Sequence, residues 1–260
     1  MSQHLKAHLE HIISESNPWT ALRMNRFFST GTLLYTIVAA GIDISPPQVV
    51  PQDASRAINP AFAGFAFEEV SFHYFSGDKT NPNRVSQNLV KAITDKTQSR
   101  PNIRVGGSSL DLSTYHPEQK APIIIPGGGG GPDGIPKNIE IGPSYMESFA
   151  NFDAQYVVDI PLAKENLNNS LLFIDHAYEA VGAENLYALE IGNEPNNYPG
   201  NVRPDDWSRE EYVTQWRDWT ARISGELGFE ENSKVWQAIG LAPGTGKPGF
   251  PPKAPGDWTV

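Results

Sequence analysis

The chain of 260 residues contains no cysteine. That absence excludes a disulfide framework, thiolate-held zinc or iron–sulfur centres and a thiol nucleophile, so six histidines and the carboxylates carry whatever polar chemistry there is. Basic residues are also short in supply, with 20 Lys and Arg against 30 Asp and Glu and a formal net charge of −10. Nucleic-acid affinity comes largely from clustered cations facing phosphates, so this balance, with no basic stripe, argues against a nucleic-acid partner. Nor is there an apolar run of the roughly 20 residues that a stable membrane span needs. The Gly244-Thr245-Gly246-Lys247 string fails as a phosphate loop because Pro248 follows the lysine. His4, His8 and His11 stand at helical spacing, which a solvated amphipathic stretch explains, so neither a metal nor another cofactor is expected.

What is present begins with a short apolar segment, Leu33 to Ala40, which follows Arg23 and Arg26 and ends in small residues. This is the layout of a secretory signal, placed at about 24–41, within a leader of residues 1–44. The proline-rich Ser45 to Pro51 reads as the linker into a domain spanning 45–260. A secreted, extracellular protein is therefore expected, with Asn168 in Asn168-Asn169-Ser170 as a glycosylation acceptor.

From Ala61 onward, short apolar strands alternate with helical stretches, the signature of a parallel α/β fold. Strands are expected at Ala61 to Val70, Asn102 to Gly106, Ala154 to Ile160, Leu186 to Ile191 and Val235 to Ile239, with helices from Ser86 to Lys96 and from Leu171 to Val181. Ser108 to Pro143, which includes a run of five glycines, reads as a long loop. The best-marked helix opens with a capping box at Ser208-Arg209-Glu210-Glu211 and carries Tyr212, Trp216, Trp219, Ile223 and Leu227 at steps of three and four, a stripe expected to pack in the core. Five such units at this chain length suggest part of an eight-unit (β/α)8 barrel, which is about 250 residues when complete, or an open doubly wound sheet.

The sharpest chemical signal is Glu190-Ile191-Gly192-Asn193-Glu194-Pro195-Asn196, at the carboxyl end of the fourth strand, where parallel sheets place ligands. A carboxyl group there can act as a general acid, and an adjacent amide can hold a substrate hydroxyl. The residue types equally allow a turn in which Asn193 caps the next segment and Glu194 is a solvated charge.

The whole string resembles the acid/base strand of retaining glycosidases of glycoside hydrolase family 79, which includes heparanase and β-glucuronidases. Ile103-Arg104-Val105-Gly106-Gly107-Ser108-Ser109-Leu110-Asp111 is similar to the end of that family's second strand, and Gly64-Phe65-Ala66-Phe67-Glu68 to its first. The resemblance covers about Ala61 to Thr259. It implies a (β/α)8 barrel in which Glu194 is the general acid/base, Asn193 contacts a sugar hydroxyl, and Glu68, Ser108 and Asp111 bind hydroxyls of a terminal uronic acid. Glu69 and His73 stay outside this candidate set. The implied activity is retaining hydrolysis of glycans ending in glucuronic acid or 4-O-methylglucuronic acid. In that family the nucleophilic carboxylate comes from a later strand, expected to be missing from this chain together with the second half of the barrel and an accompanying β-sandwich. The alternative expectation is a catalytically inactive fragment or pseudoenzyme that at most binds carbohydrate.

Overall fold

In the computed structural model, residues 49–128, 134, 136–230 and 233–237 are described. The expected signal segment and leader lie outside them, as do residues 238 and 239 of the fifth strand. The chain divides into compact units at Met1–Ser55 and Arg56–Val260, and every element below belongs to the second.

Strand β1 (Gly64–Glu68) is followed directly by helix α1 (Glu69–Ser76) and then by α2 (Arg84–Thr97). The first strand is thus shorter than Ala61 to Val70. Val70, Phe72 and Tyr74 alternate as in a strand, yet the buried positions are Glu69, Phe72 and Ser76, a helical period. Gly77, with φ 76°, ends α1 by returning its N–H to the His73 carbonyl. Helix α2 starts two residues before Ser86 because the Asn83 side chain accepts the Ser86 N–H as an N-cap.

Next come β2 (Asn102–Gly106), the single turn α3 (Ser108–Asp111), β3 (Ser113–Tyr115), β4 (Ile123–Ile124) and β5 (Ile139–Ile141). The expected long loop therefore contains a small sheet of order β3-β5-β4. Its strands are two or three residues long, too short for a periodic signal, but Tyr115, Ile139 and Ile141 are buried. A 3-10 segment (Pro143–Asn151) leads into β6 (Gln155–Ile160), α4 (Leu167–Val181), β7 (Leu186–Ile191) and α5 (Arg209–Leu227). Helix α4 begins four residues before Leu171 because Asn166 caps it. Both reciprocal bonds of the Ser208–Glu211 capping box are present at the start of α5.

The main sheet has the order β1-β2-β6-β7, all parallel. A further parallel bridge joins Leu189 to Trp236, with Leu189 N–H donating to the Val235 carbonyl and Gln237 N–H to that of Leu189. Five segments therefore lie side by side in chain order, without the reversal of a doubly wound sheet among the described residues. One face of the sheet carries Ile103, Val105, Tyr156, Val158, Ile160, Leu189 and Ile191, which join Phe72 of α1, Phe173 and Ile174 of α4, and Trp219 and Ile223 of α5 in one core. Each large apolar side chain so buried contributes about 1.5–3 kcal/mol. The stripe on α5 is core, with Trp216 partly buried against Trp236 at 6.3 Å between ring centroids.

Candidate active site

The opposite face of the same strands carries a charged cluster beside Val157 and Ala188. Arg104 of β2 donates from Nε to Glu190 of β7 at 2.5 Å and from Nη2 to Asp159 of β6 at 3.0 Å. Gln237 donates to the other Glu190 oxygen at 2.9 Å. Asp159 and Glu190 are paired neighbours in the β6–β7 register, which brings their side chains to the same face. Burial pushes the Asp159 carboxyl well above the usual range, despite Arg104 beside it.

The Gly106-Gly107 pair exists to make room for two carboxylates. A Cβ on Gly106 would lie 2.5 Å from Asp159 Cβ and Oδ2, and one on Gly107 would lie 2.5 Å from Glu68 Cδ. Gly107 also has φ 87°, a left-handed region that glycine enters without steric cost. With that space open, the Glu68 carboxylate accepts the Ser109 N–H at 2.8 Å, the Ser109 hydroxyl at 2.6 Å and the Ser108 N–H at 3.3 Å.

Beyond β7, the chain turns sharply. Gly192 has φ 78°, and Glu194 adopts the left-handed conformation at φ 50°, ψ 54°. A non-glycine residue held there costs on the order of 1–3 kcal/mol, and such strain clusters at functional sites. A 3-10 turn (Pro195–Asn197) then folds Tyr198 back beneath the loop. Glu194 is half-buried, and one of its oxygens accepts from the Asn197 amide at 3.2 Å. The Asn193 side chain accepts from Arg104 and donates to the Ser108 hydroxyl, each at 3.3 Å.

The structure thus brings Glu68, Ser108 and Asn193 into one polar cluster at the strand ends, with Glu194 on the adjoining turn. It places Asp111 differently. Asp111 is 6% exposed, and its oxygens accept from the Leu162 and Ala163 N–H groups, the Asn193 N–H and the Tyr198 hydroxyl. Burial pushes its carboxyl up to about 6 against those donors. Asn168 is exposed in the first turn of α4, while the Ser170 hydroxyl of the same sequon is buried on the Pro161 carbonyl at 2.7 Å.

Four further groups belong to this region. Arg104, Asp159 and Glu190 each interrupt an apolar strand at the same parity, the signal in the sequence that marks them. Glu69, which stands outside the candidate set, is fully buried, and neither of its carboxyl oxygens has a hydrogen-bond partner. The Ser113 hydroxyl beside it gives its proton to the Leu110 carbonyl at 2.8 Å. Burial pushes the Glu69 carboxyl up to about 8, with Glu68 and Asp111 adding to the rise.

No protein-family model matches the chain. Among curated proteins, a β-glucuronidase of Aspergillus niger is 29% identical over 186 residues, covering 68% of this chain and 34% of that enzyme. A β-glucuronidase of Neurospora crassa is 30% identical over 206 residues, covering 74% of this chain and 36% of the relative. The chain therefore spans about a third of the length of the curated relatives it matches. Among solved structures, a 4-O-α-L-rhamnosyl-β-D-glucuronidase from Fusarium oxysporum superimposes with a TM-score of 0.59 at 22% identity, over 70% of this chain and 39% of that one. That likeness shows the fold.

Proposed function

We propose that this chain, which is like glycoside hydrolase family 79 over the part it shares with fungal β-glucuronidases, carries the acid/base half of a retaining β-glucuronidase site. Its five in-order strands form the front of a (β/α)8 wall. The substrate is a glycan ending in glucuronic acid or its 4-O-methyl form, and the protein acts outside the cell. Among the described residues no helix is long and apolar enough to cross a membrane.

The observation that carries this reading is the turn after β7, where Gly192 and Glu194 are both left-handed and Asn193 is tied to Ser108 and Arg104. In this reading Glu194 protonates the leaving glycosidic oxygen and later takes a proton from the attacking water, while Asn193, Ser108 and Glu68 meet the sugar hydroxyls. Retaining hydrolysis also needs a second carboxylate about 5–5.5 Å from the first, which forms the covalent glycosyl intermediate. The other acids near these strand ends are committed elsewhere or closed off: Glu68 accepts from the Ser108 and Ser109 amides, Asp111 from four donors, Asp159 and Glu190 pair with Arg104, and Glu69 is fully buried. We therefore assign the nucleophile to none of them.

That commitment also favours a second reading, in which the chain binds a terminal uronic acid without cleaving it. The test is hydrolysis of a chromogenic aryl β-glucuronide by the full chain and by Glu194→Gln, with glucuronic acid binding measured in parallel. Turnover that disappears in the variant supports the first reading. A folded chain that binds glucuronic acid without turnover supports the second, and a folded chain that does neither ends both.

A further inference from the structure

The Asp111 carboxylate joins three loops that are far apart in sequence. Oδ1 accepts the N–H groups of Leu162 and Ala163, which follow β6, each at 3.4 Å. Oδ2 accepts the Asn193 N–H at 3.2 Å and the Tyr198 hydroxyl at 2.6 Å, both from the segment after β7. A carboxylate has about four lone-pair positions, and protein donors take four here. None remains for a sugar hydroxyl, and the residue is 6% exposed.

The partners of Asp111 are themselves fixed. Tyr198 also accepts the Asn193 N–H, at 3.2 Å, so this one amide is shared between the phenol and the carboxylate. Gly192 permits that approach, because a Cβ there would sit 2.8 Å from the phenol oxygen. The Tyr198 ring stacks on Trp207 at 5.7 Å, and the Arg203 guanidinium lies over both rings at 5.5 and 5.4 Å. Arg203 also donates to the carbonyls of Leu162 and Ala163, whose N–H groups are on Asp111. The loops after β6 and β7 are therefore clamped through donors on one side and acceptors on the other.

We infer that Asp111 is a positioning residue which, with Tyr198, sets the backbone at Asn193 and so places the Asn193 amide and Glu194, and that it is not a ligand for the sugar. The inference deepens the proposed reading of this site and rests on it for the identity of the ligand; the clamp itself rests on the hydrogen bonds alone. Tyr198→Phe is the milder variant, because it keeps the ring against Trp207 and Arg203 and removes only the hydroxyl. Asp111→Asn keeps the shape but turns one acceptor oxygen into a donor among donors.

The experiment follows hydrogen exchange at the Asn193 amide in the full chain and titrates the same proteins with glucuronic acid by calorimetry. Tyr198→Phe is expected to speed Asn193 exchange by about tenfold while the Val158 amide in the central sheet keeps its rate, a local loosening that a general loss of stability would not produce. Both variants are expected to weaken glucuronic acid binding, and the double variant to bind no more weakly than Asp111→Asn alone, as residues acting through one unit do. Unchanged Asn193 exchange in Tyr198→Phe overturns the inference. So does loss of binding in Asp111→Asn with wild-type binding in Tyr198→Phe, which would make Asp111 a direct ligand. Should Asp111→Asn not fold, Tyr198→Phe still decides the matter. A wild-type chain that does not bind glucuronic acid defeats the proposed function, while the exchange rates still judge the clamp.

Discussion

Arg104 on β2 reaches past β6 to hydrogen-bond Glu190 on β7 at 2.5 Å, and on the way its other arm meets Asp159. One guanidinium thus serves two carboxylates whose side chains are almost wholly buried. Removing one partner of such a cluster leaves uncompensated charge, a cost of about 3–5 kcal/mol. Arg104→Met should lower stability by that order, read from the urea midpoint. It should also weaken glucuronic acid binding, because Arg104 holds the Asn193 side chain. A loss below about 1 kcal/mol would mean that the two acids find other partners.

Two glycine substitutions should move stability in opposite directions. Gly106→Ala drives a methyl group to within 2.5 Å of Asp159 and should cost roughly 2 kcal/mol or more. Gly225→Ala, in α5 with nothing within 4 Å of its Cβ, should stabilise by up to about 1 kcal/mol through helix propensity. Denaturant titration of both variants against the parent checks the pair.

Glu69 predicts the pH dependence of stability. Its folded value of about 8 lies above its ordinary 4.5, so between these values the native state holds a proton that the unfolded chain has released. The contribution is fully present below about pH 4.5 and is lost as pH rises through about 8. Asp111 acts in the same direction, between its ordinary 3.8 and about 6. Stability should therefore fall from pH 5 toward pH 8, and Glu69→Gln, which copies the neutral acid, should flatten much of that slope. Thermal unfolding across this range measures it, and an unchanged slope in the variant would assign the dependence to other groups.

The left-handed backbone of Glu194 predicts a trade of stability for chemistry. Glu194→Gly should relieve strain and raise stability by about 1 kcal/mol, since glycine accepts φ 50° freely. The same variant should lack any aryl β-glucuronide hydrolysis that the parent shows. Loss of stability in Glu194→Gly would mean that the Asn197 contact matters more than the strain.

The alternation of apolar strands and the capping box before α5 were legible because each follows a local rule: period two for a strand, and reciprocal capping for a helix start. Glu194 and Asn193 were legible as candidates because they stand just past an apolar strand, and Ser108 only through the resemblance of its Gly-Gly string to a family's second strand end. Helix α1 was hidden by aromatic residues whose alternation mimics a strand. The role of Asp111 was hidden for a different reason: its donors lie 51, 52, 82 and 87 residues away, and only folding brings them together. Nothing local marks Glu69 as buried, because a glutamate beside a strand end gains its surroundings only when the elements over it are in place.

The most direct test of the account is calorimetric titration of the full chain with glucuronic acid, set against Asn193→Ala. The account predicts saturable binding by the parent and a loss of about tenfold or more in the variant, because the sugar hydroxyl, Arg104 and Ser108 all lose their amide partner. Equal binding by both proteins, or none by a folded parent, would contradict it.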